Sequence, residues 1–147
     1  MDDCIFCQII QRQAPGSIVY KDELAVAFLD IHAINPGDTM VVPRAHVVDM
    51  FEADETLIAH LFTVAKRLLE PIRQVSGCAG MNIIVANGPE AYQDVFHLHI
   101  HLTPRRRGDG FIVRFPDDFP SPLDRAEMDR IASKIRQVLE QPCTSIT

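Results

Sequence analysis

Three histidines that alternate with apolar residues constrain the fold of this chain more than any other feature. The histidines stand at every second position: His97, His99 and His101. The residues between and beside them are apolar: Phe96, Leu98, Ile100 and Leu102. A period of two is that of a β-strand, whose successive side chains point to opposite faces. The pattern predicts one strand with three imidazoles on one face and an apolar face directed into the core.

Three imidazoles on one rigid face suit two kinds of chemistry. They can ligate a metal, or they can transfer protons and act as nucleophiles near neutral pH. Aliphatic side chains would suit a purely structural strand better, because buried titratable groups need partners. The histidines therefore predict a functional site, and the strand by itself leaves metal and nucleophile open.

Length and charge exclude several classes of protein. The 147 residues suffice for one domain with a hydrophobic core, and no apolar run is long enough to cross a bilayer. The acidic start, Met1-Asp2-Asp3, lacks the features of a signal peptide, so we expect a cytoplasmic protein. The net charge of -6 argues against binding to nucleic-acid backbones, but it leaves a small nucleotide ligand open.

The remaining pattern predicts an α+β domain. We expect a short helix in residues 4–12 and a long helix that begins after the N-cap Asp54 and kinks or ends at Pro71. A last helix should begin at a capping box formed by Asp124 and Glu127. Strands and short extended segments are expected at 18–21, 24–30, 39–42, 81–86, in the histidine segment and at 111–115.

Two cysteines suggest a metal centre near the N-terminus. Cys4 and Cys7 would share one face of the first helix, and His46 and His97 would complete the four ligands of a closed tetrahedral zinc site. Such a site would tie the helix to the sheet. The alternative is that both cysteines are small buried apolar residues, and the spacing does not decide between the two.

With these residues in place, the sequence resembles the histidine-triad (HIT) family over about its first three quarters. The family marker corresponds to His97-Leu98-His99-Ile100-His101-Leu102-Thr103. Four further segments resemble bacterial-type members in the same order: residues 4–10, 27–31, 35–46 and 87–96.

The resemblance implies a particular α+β architecture. It has a five-stranded, mostly antiparallel sheet with one long helix and additional shorter ones. We expect a single domain with its core at about 4–107 and a C-terminal extension with a helix at about 108–147. The resemblance also implies a homodimer whose sheets join into one of ten strands.

The activity implied by the resemblance is cleavage at the α-phosphate of nucleoside phosphoramidates or dinucleoside polyphosphates. His99 would be the nucleophile and would form a nucleotidyl-histidine that water hydrolyses. His101 would stabilise the developing charge on the phosphate. Gln93, the third expected catalytic residue, and Asn87 would contact the phosphate and the leaving group.

The resemblance also implies how the other ligands are bound. Asp30 would hold the ribose hydroxyls, and a purine, with adenine expected, would occupy an apolar slot. The residues of that slot are Phe6, Ile9, Phe28 and Ile31. Members with the Cys-x-x-Cys segment bind structural zinc, here through Cys4, Cys7, His46 and His97.

Three residues depart from the usual family pattern. Tyr92 stands where glycine is commonest, and its ring would narrow the phosphate loop. Asp94 replaces the serine or threonine of some branches, and Asp38 stands where many members have histidine. These departures leave the nucleophile intact and the leaving group open.

Two other functions compete with the hydrolase. A metalloenzyme would gather all three histidines around a catalytic metal. A nucleotide-binding scaffold or regulatory protein would bind the same ligand with little turnover.

Overall fold

The computed structural model describes residues 4–112, 115, 117, 119 and 122–140. These residues fall into two units that divide after Phe111. Among the described residues, the first unit contains the sheet, two α-helices and one short 3-10 helix, and the second contains one α-helix. Phe111 and Ile112 are not in a strand, and part of the predicted extended segment at 111–115 lies outside the described residues.

The first unit is built on one antiparallel sheet. Its strands are β1 Ile18–Lys21, β2 Ala25–Leu29, β3 Thr39–Pro43, β4 Gly80–Ile84 and β5 Ile100–Arg105. Their order across the sheet is β1-β2-β3-β5-β4. The helices in the described part of the chain are α1 Ile5–Ile10, α2 Glu55–Ser76, α3 Arg125–Leu139 and a single-turn 3-10 helix, Pro89–Ala91. The predicted α+β class and five-stranded sheet are confirmed.

The two faces of the sheet are covered by different helices. Alternate residues of β2 point to opposite sides, as a strand requires: Ala25 and Ala27 belong to the cluster beneath α2, and Val26 and Phe28 to the cluster beneath α1. Small residues beneath α2 let the long helix approach the sheet closely. The short helix α1 is thereby packed on the face opposite α2.

Helix α2 continues through Pro71, so the predicted end of the helix at this residue is wrong. The Asp54 side chain caps the helix by accepting from the Leu57 N–H at 2.8 Å, and Gly77, in the left-handed conformation, ends it. Pro71 lies on the exposed side, and the next residue, Ile72, is buried in the core cluster. We attribute the continuation to this packing, which stabilises the last turn despite the hydrogen bond that proline removes.

The histidine segment enters the sheet later than predicted. Strand β5 begins at Ile100, so His101 is paired across the sheet, whereas His97 and His99 precede the ladder. The His97 N–H donates to the Val95 carbonyl at 2.8 Å, which bends the chain before the strand begins. Two of the three histidines, His97 and His99, therefore lie in a bent segment that precedes β5.

The predicted burial holds for three of the four apolar residues of the segment, although burial does not alternate, because His97 and His99 are buried as well. Leu98, Ile100 and Leu102 are buried, but half of Phe96 is exposed, so its predicted place in the core is wrong. Phe96 lies in the bent segment before the ladder, where alternation no longer sets the direction of a side chain.

Helix α3 forms where the capping pattern predicts it. Asp124 caps the helix by accepting from the Glu127 N–H at 2.9 Å. Among the described helices, none combines the length and apolar character needed to cross a membrane.

Asp22 closes the turn between β1 and β2 and joins it to α2. One carboxylate oxygen accepts from the N–H groups of Leu24 and Ala25, and the other from the Tyr20 hydroxyl and His60 Nε2. Burial opposes ionisation of Asp22, but the hydrogen bonds outweigh it and hold the pKa of this carboxyl well below its usual range.

Acid stability is expected to depend on Asp22. Because its folded pKa is depressed, Asp22 contributes stability above its unfolded value of about 3.9 and loses that contribution as pH falls towards the folded pKa. Asp22→Asn should lower the free energy of unfolding by about 1–3 kcal/mol at neutral pH and flatten its decline below about pH 4. Urea unfolding at a series of pH values measures both effects, with the exposed neighbour Glu23→Gln as control. Parallel acid profiles for wild type and Asp22→Asn would contradict the assignment.

Candidate functional site

Four side chains from distant parts of the sequence meet beside α1. Cys4 and Cys7 come from the start of this helix, His46 follows β3, and His97 precedes β5. One ligand atom from each lies within 4.8 Å of all the others. The Sγ atoms of Cys4 and Cys7 are 3.4 and 3.5 Å from His97 Nδ1, and Cys7 Sγ is 3.4 Å from His46 Nδ1.

These distances fit a tetrahedral zinc ion. Ordinary Zn–S and Zn–N bond lengths place sulfur and nitrogen ligands about 3.6 Å apart in a tetrahedron. His97 Nε2 donates to the Pro43 carbonyl at 2.9 Å, which leaves the Nδ1 lone pair directed at the cysteines. Burial lowers the pKa of His97 and raises that of the Cys7 thiol, so a neutral imidazole is favoured and a thiolate would need a cation beside it. The four residues could hold a metal ion.

His99 is held in one tautomer by the backbone. Its Nδ1 lies 2.7 Å from the carbonyl oxygen of His97, and because a carbonyl only accepts, Nδ1 carries the hydrogen. The lone pair of the ring is then on Nε2. Burial lowers the pKa of His99, which favours the neutral imidazole that a nucleophile requires. The rings of Phe6 and His101 contact it edge-on, with centroids 5.4 and 4.9 Å away.

A cavity of about 780 Å³ opens in front of His99 and His101. Its volume lies in the range of sites for small organic ligands. Seven residues that the sequence predicts as nucleotide ligands line it together: Phe6, Ile9, Phe28, Asp30, Ile31, His99 and His101. Apolar side chains from α1 and β2 make much of its wall, and Ile31 is almost fully exposed. The Asp30 carboxylate lies 3.7 Å from His101 Nδ1, so the cavity has apolar and ionisable parts.

Sequence reasoning missed other residues of the wall. These are Ile5, Pro15, Gly16, Ser17, Leu29, His32, Met40, Asp94 and Val95. A Cβ atom on Gly16 would lie 2.5 Å from Ile9 Cγ2, so this turn can approach α1 only with glycine. The sequence Pro15-Gly16-Ser17 predicts a turn, but nothing in it indicates the approach to α1.

Gln93 and Asn87 are not among the residues that line the cavity. The buried Gln93 amide accepts from the Gly88 N–H at 2.8 Å and donates to the Val48 carbonyl at 2.7 Å. The Asn87 carbonyl oxygen accepts from the Met50 N–H at 2.9 Å. Both side chains bind backbone groups, and they join the loop before the triad to the segment after β3.

Tyr92 does not narrow the loop as its size led us to expect. Its φ of 63° lies in the left-handed region, and its side chain is 92% exposed. Glycine adopts this backbone conformation without the steric cost that a Cβ atom brings. The backbone thus explains why glycine suits the position, and the ring of Tyr92 is turned to solvent.

The triad histidines do not converge on one metal position. His97 belongs to the cluster with the cysteines, and His101 to a cluster with Asp30 and Asp38. Within the described part of the chain, no cluster of potential metal ligands contains two triad histidines. The geometry gives no support to the metalloenzyme hypothesis.

Comparison with known proteins identifies the family. A model of the HIT domain matches residues 11–108, about two thirds of the chain. The crystal structure of SMU.412c from Streptococcus mutans is 37% identical, with a TM-score of 0.87 over 95% of this chain and 87% of that one. A zinc-bound histidine-triad protein from Mycobacterium smegmatis is 32% identical, with a TM-score of 0.72 over 93% and 96%. The adenylylsulfatase HINT3 of Arabidopsis thaliana is 30% identical over 74% of this chain and 55% of its own length. The chain therefore belongs to the HIT family of nucleotide-binding hydrolases and transferases.

Proposed function

We propose that this protein hydrolyses nucleoside phosphoramidates or dinucleoside polyphosphates at the α-phosphate, with His99 as the nucleophile. The observation that carries the proposal is the 2.7 Å contact between His99 Nδ1 and the His97 carbonyl, which leaves Nε2 free beside an apolar cavity. The Arabidopsis relative is named an adenylylsulfatase. Adenylyl sulfate also carries its leaving group on the α-phosphorus of an adenylyl group, which supports this choice of reacting centre.

The reaction has two steps. His99 Nε2 forms a bond to the α-phosphorus as the bond from phosphorus to the leaving amine or phosphate breaks, and the leaving group takes a proton from His101 or water. Water then attacks the phosphorus of the nucleotidyl-histidine, the bond from phosphorus to Nε2 breaks, and one proton of the water passes to His101 or to solvent. The oxygen of the water stays on phosphorus, and the neutral imidazole of His99 is regenerated. The products are a nucleoside monophosphate and the protonated leaving group. His101, whose ring contacts that of His99, is placed to stabilise charge on the phosphate oxygens.

The nucleoside would occupy the part of the cavity between α1 and β2. The apolar side chains of Phe6, Ile9 and Phe28 suit a flat purine base, and we propose adenine. The Asp30 carboxylate would accept hydrogen bonds from the ribose hydroxyls. Gln93 would act by holding the loop beside the phosphate, since its amide already binds backbone groups.

We further propose that Cys4, Cys7, His46 and His97 bind a structural zinc ion. The ion would hold α1, and with it Phe6 and Ile9, against the sheet that presents the histidines. It supplies cross-linking and no step of the reaction. Thiolate ligands require reducing conditions, which supports a cytoplasmic location.

A homodimer is proposed through β4. This strand is at one edge of the sheet, and pairing of its free edge with a second copy would produce ten continuous strands. Light scattering should give twice the chain mass of 16.5 kDa. Ile83→Asp in β4 should give a monomer, and Val19→Asp in β1, the opposite edge, should stay dimeric. Ile83 and Val19 are 46% and 48% exposed, so the two changes are matched. A wild-type monomer would overturn the proposed dimer.

The activity is tested with a panel of purified substrates. An adenosine phosphoramidate, a diadenosine polyphosphate and adenylyl sulfate share an adenylyl group and differ in the leaving group. Release of adenosine monophosphate from at least one of them is expected. Tight nucleotide binding with no product from any of them would favour the scaffold hypothesis over the hydrolase.

A further inference from the structure

Asp38 places a buried carboxylate behind the histidines. It lies at the end of the loop before β3, and only 2% of the residue is exposed. One carboxylate oxygen accepts from the Thr103 hydroxyl at 3.1 Å and the other from the Ile34 N–H at 3.4 Å. Both donors are neutral, and an ionised carboxylate is costly to bury with neutral donors alone.

The nearest ionisable groups belong to the site. One carboxylate oxygen each from Asp30 and Asp38 and one ring nitrogen of His101 lie within 4.8 Å of one another. Asp30 Oδ2 is 3.7 Å from His101 Nδ1, and the Asp30 N–H donates to the Asp38 carbonyl at 2.9 Å. The His101 ring also contacts the ring of His99. His101 therefore lies close to two carboxylates and to the candidate nucleophile.

The two carboxylates differ in their access to the cavity. Asp30 lines the cavity, whereas Asp38 is absent from its wall. Under the proposed function the ribose hydroxyls would engage Asp30, and Asp38 would remain as the carboxylate that no ligand competes for. A carboxylate near one nitrogen of an imidazole sets which nitrogen carries hydrogen and how the ring is oriented.

We propose that Asp38 is a positioning residue that keeps the Nδ1–H of His101 directed at the Asp30–Asp38 pair. The Nε2 atom of His101 is then directed at the phosphate beside His99, where it binds a proton and donates it to a phosphate oxygen or to the leaving group. This inference rests on the proposed hydrolase function. Asp38 acts through the charge and orientation of His101 and touches no reacting atom.

The test is Asp38→Asn, which removes the charge but keeps an oxygen that can accept from Thr103. Partners that orient metal-ligating histidines typically contribute roughly 10–100-fold. By analogy we expect kcat to fall by roughly 10–100-fold while KM changes less than about twofold. The ¹⁵N spectrum of the His101 ring should show a changed distribution of hydrogen between the two nitrogens. The buried carboxylate Asp109, which binds Arg105 and Asn35 away from the cavity, provides the control. Asp109→Asn should lower thermal stability and leave kcat and the His101 spectrum unchanged.

A structural role alone would give different results. An unchanged kcat and an unchanged His101 spectrum in Asp38→Asn would overturn the proposal. Should that variant fail to fold, the wild-type protein provides a second test. A wild-type ¹⁵N spectrum in which His101 exchanges freely between both neutral tautomers would overturn the proposal. Because these spectra need no substrate, they separate the failure of this proposal from an absence of turnover, which would overturn the hydrolase function.

Discussion

Replacement of His99 by alanine is expected to lower turnover of the best substrate by on the order of 10⁴-fold or more. The reason is that the lone pair on Nε2 forms the bond to phosphorus, and the geometry offers no substitute. His97 has its Nδ1 directed at the cysteines, and the His101 ring lies beside the carboxylates of Asp30 and Asp38. Steady-state release of adenosine monophosphate measures the loss.

The control for this variant is His32→Ala. His32 lines the same cavity, but it is exposed and its backbone N–H binds Asp30, with no contact to the triad rings among the described interactions. Its variant should retain most of the turnover. Wild-type protein quenched during turnover in alkaline denaturant, in which the P–N bond survives, should carry one nucleotidyl group on the peptide that contains His99. A His99→Ala protein with wild-type turnover would contradict the nucleophile assignment.

The fold could be predicted largely from short-range patterns. The β-favouring run at residues 39–42 and the capping residues Asp54 and Asp124 depend on neighbours in the sequence, and the elements that they predict are present. Pro71 shows the limit of such rules. Its predicted break depends on local hydrogen bonding, but the burial of Ile72 against distant strands keeps the last turn helical.

The residues of the site could be predicted from the sequence, but the hydrogen bonds that orient them could not. Residue types and spacing bring Cys4, Cys7, His46 and His97 into one hypothesis, and the structure places them together. The direction of the His97 ring nitrogens depends on the Pro43 carbonyl group, whose position no sequence pattern reveals. Gln93 and Asp38 show the same limit. Both are polar residues near the triad, but only tertiary contacts reveal that Gln93 binds backbone groups and that Asp38 is buried beside His101.

Disruption of the proposed zinc site should lower the stability of the fold far more than it lowers kcat. Structural zinc supplies an apparent ~10–16 kcal/mol in zinc-finger peptides, whose fold depends on it entirely. Here the cluster beneath α2 contains no metal ligand, so Cys7→Ser should lower the free energy of unfolding by a smaller amount, about 3–5 kcal/mol. Zinc in the purified protein should fall from one ion per chain to almost none. Urea unfolding and elemental analysis measure the two quantities.

The control for Cys7→Ser is Cys78→Ser. It measures how much stability is lost when a buried thiol that binds no metal is replaced. Cys78 and Cys7 are 7% and 8% exposed, but Cys78 lies outside the four-residue cluster. Its variant should keep the zinc. Chelation of the wild type should lower its unfolding temperature and raise KM, because α1 carries Phe6 and Ile9 into the cavity wall, while kcat for protein that stays folded should change little. Immediate loss of kcat without unfolding would indicate a catalytic metal. Purified protein without zinc, together with equal stability of Cys7→Ser and Cys78→Ser, would show that the four residues serve packing alone.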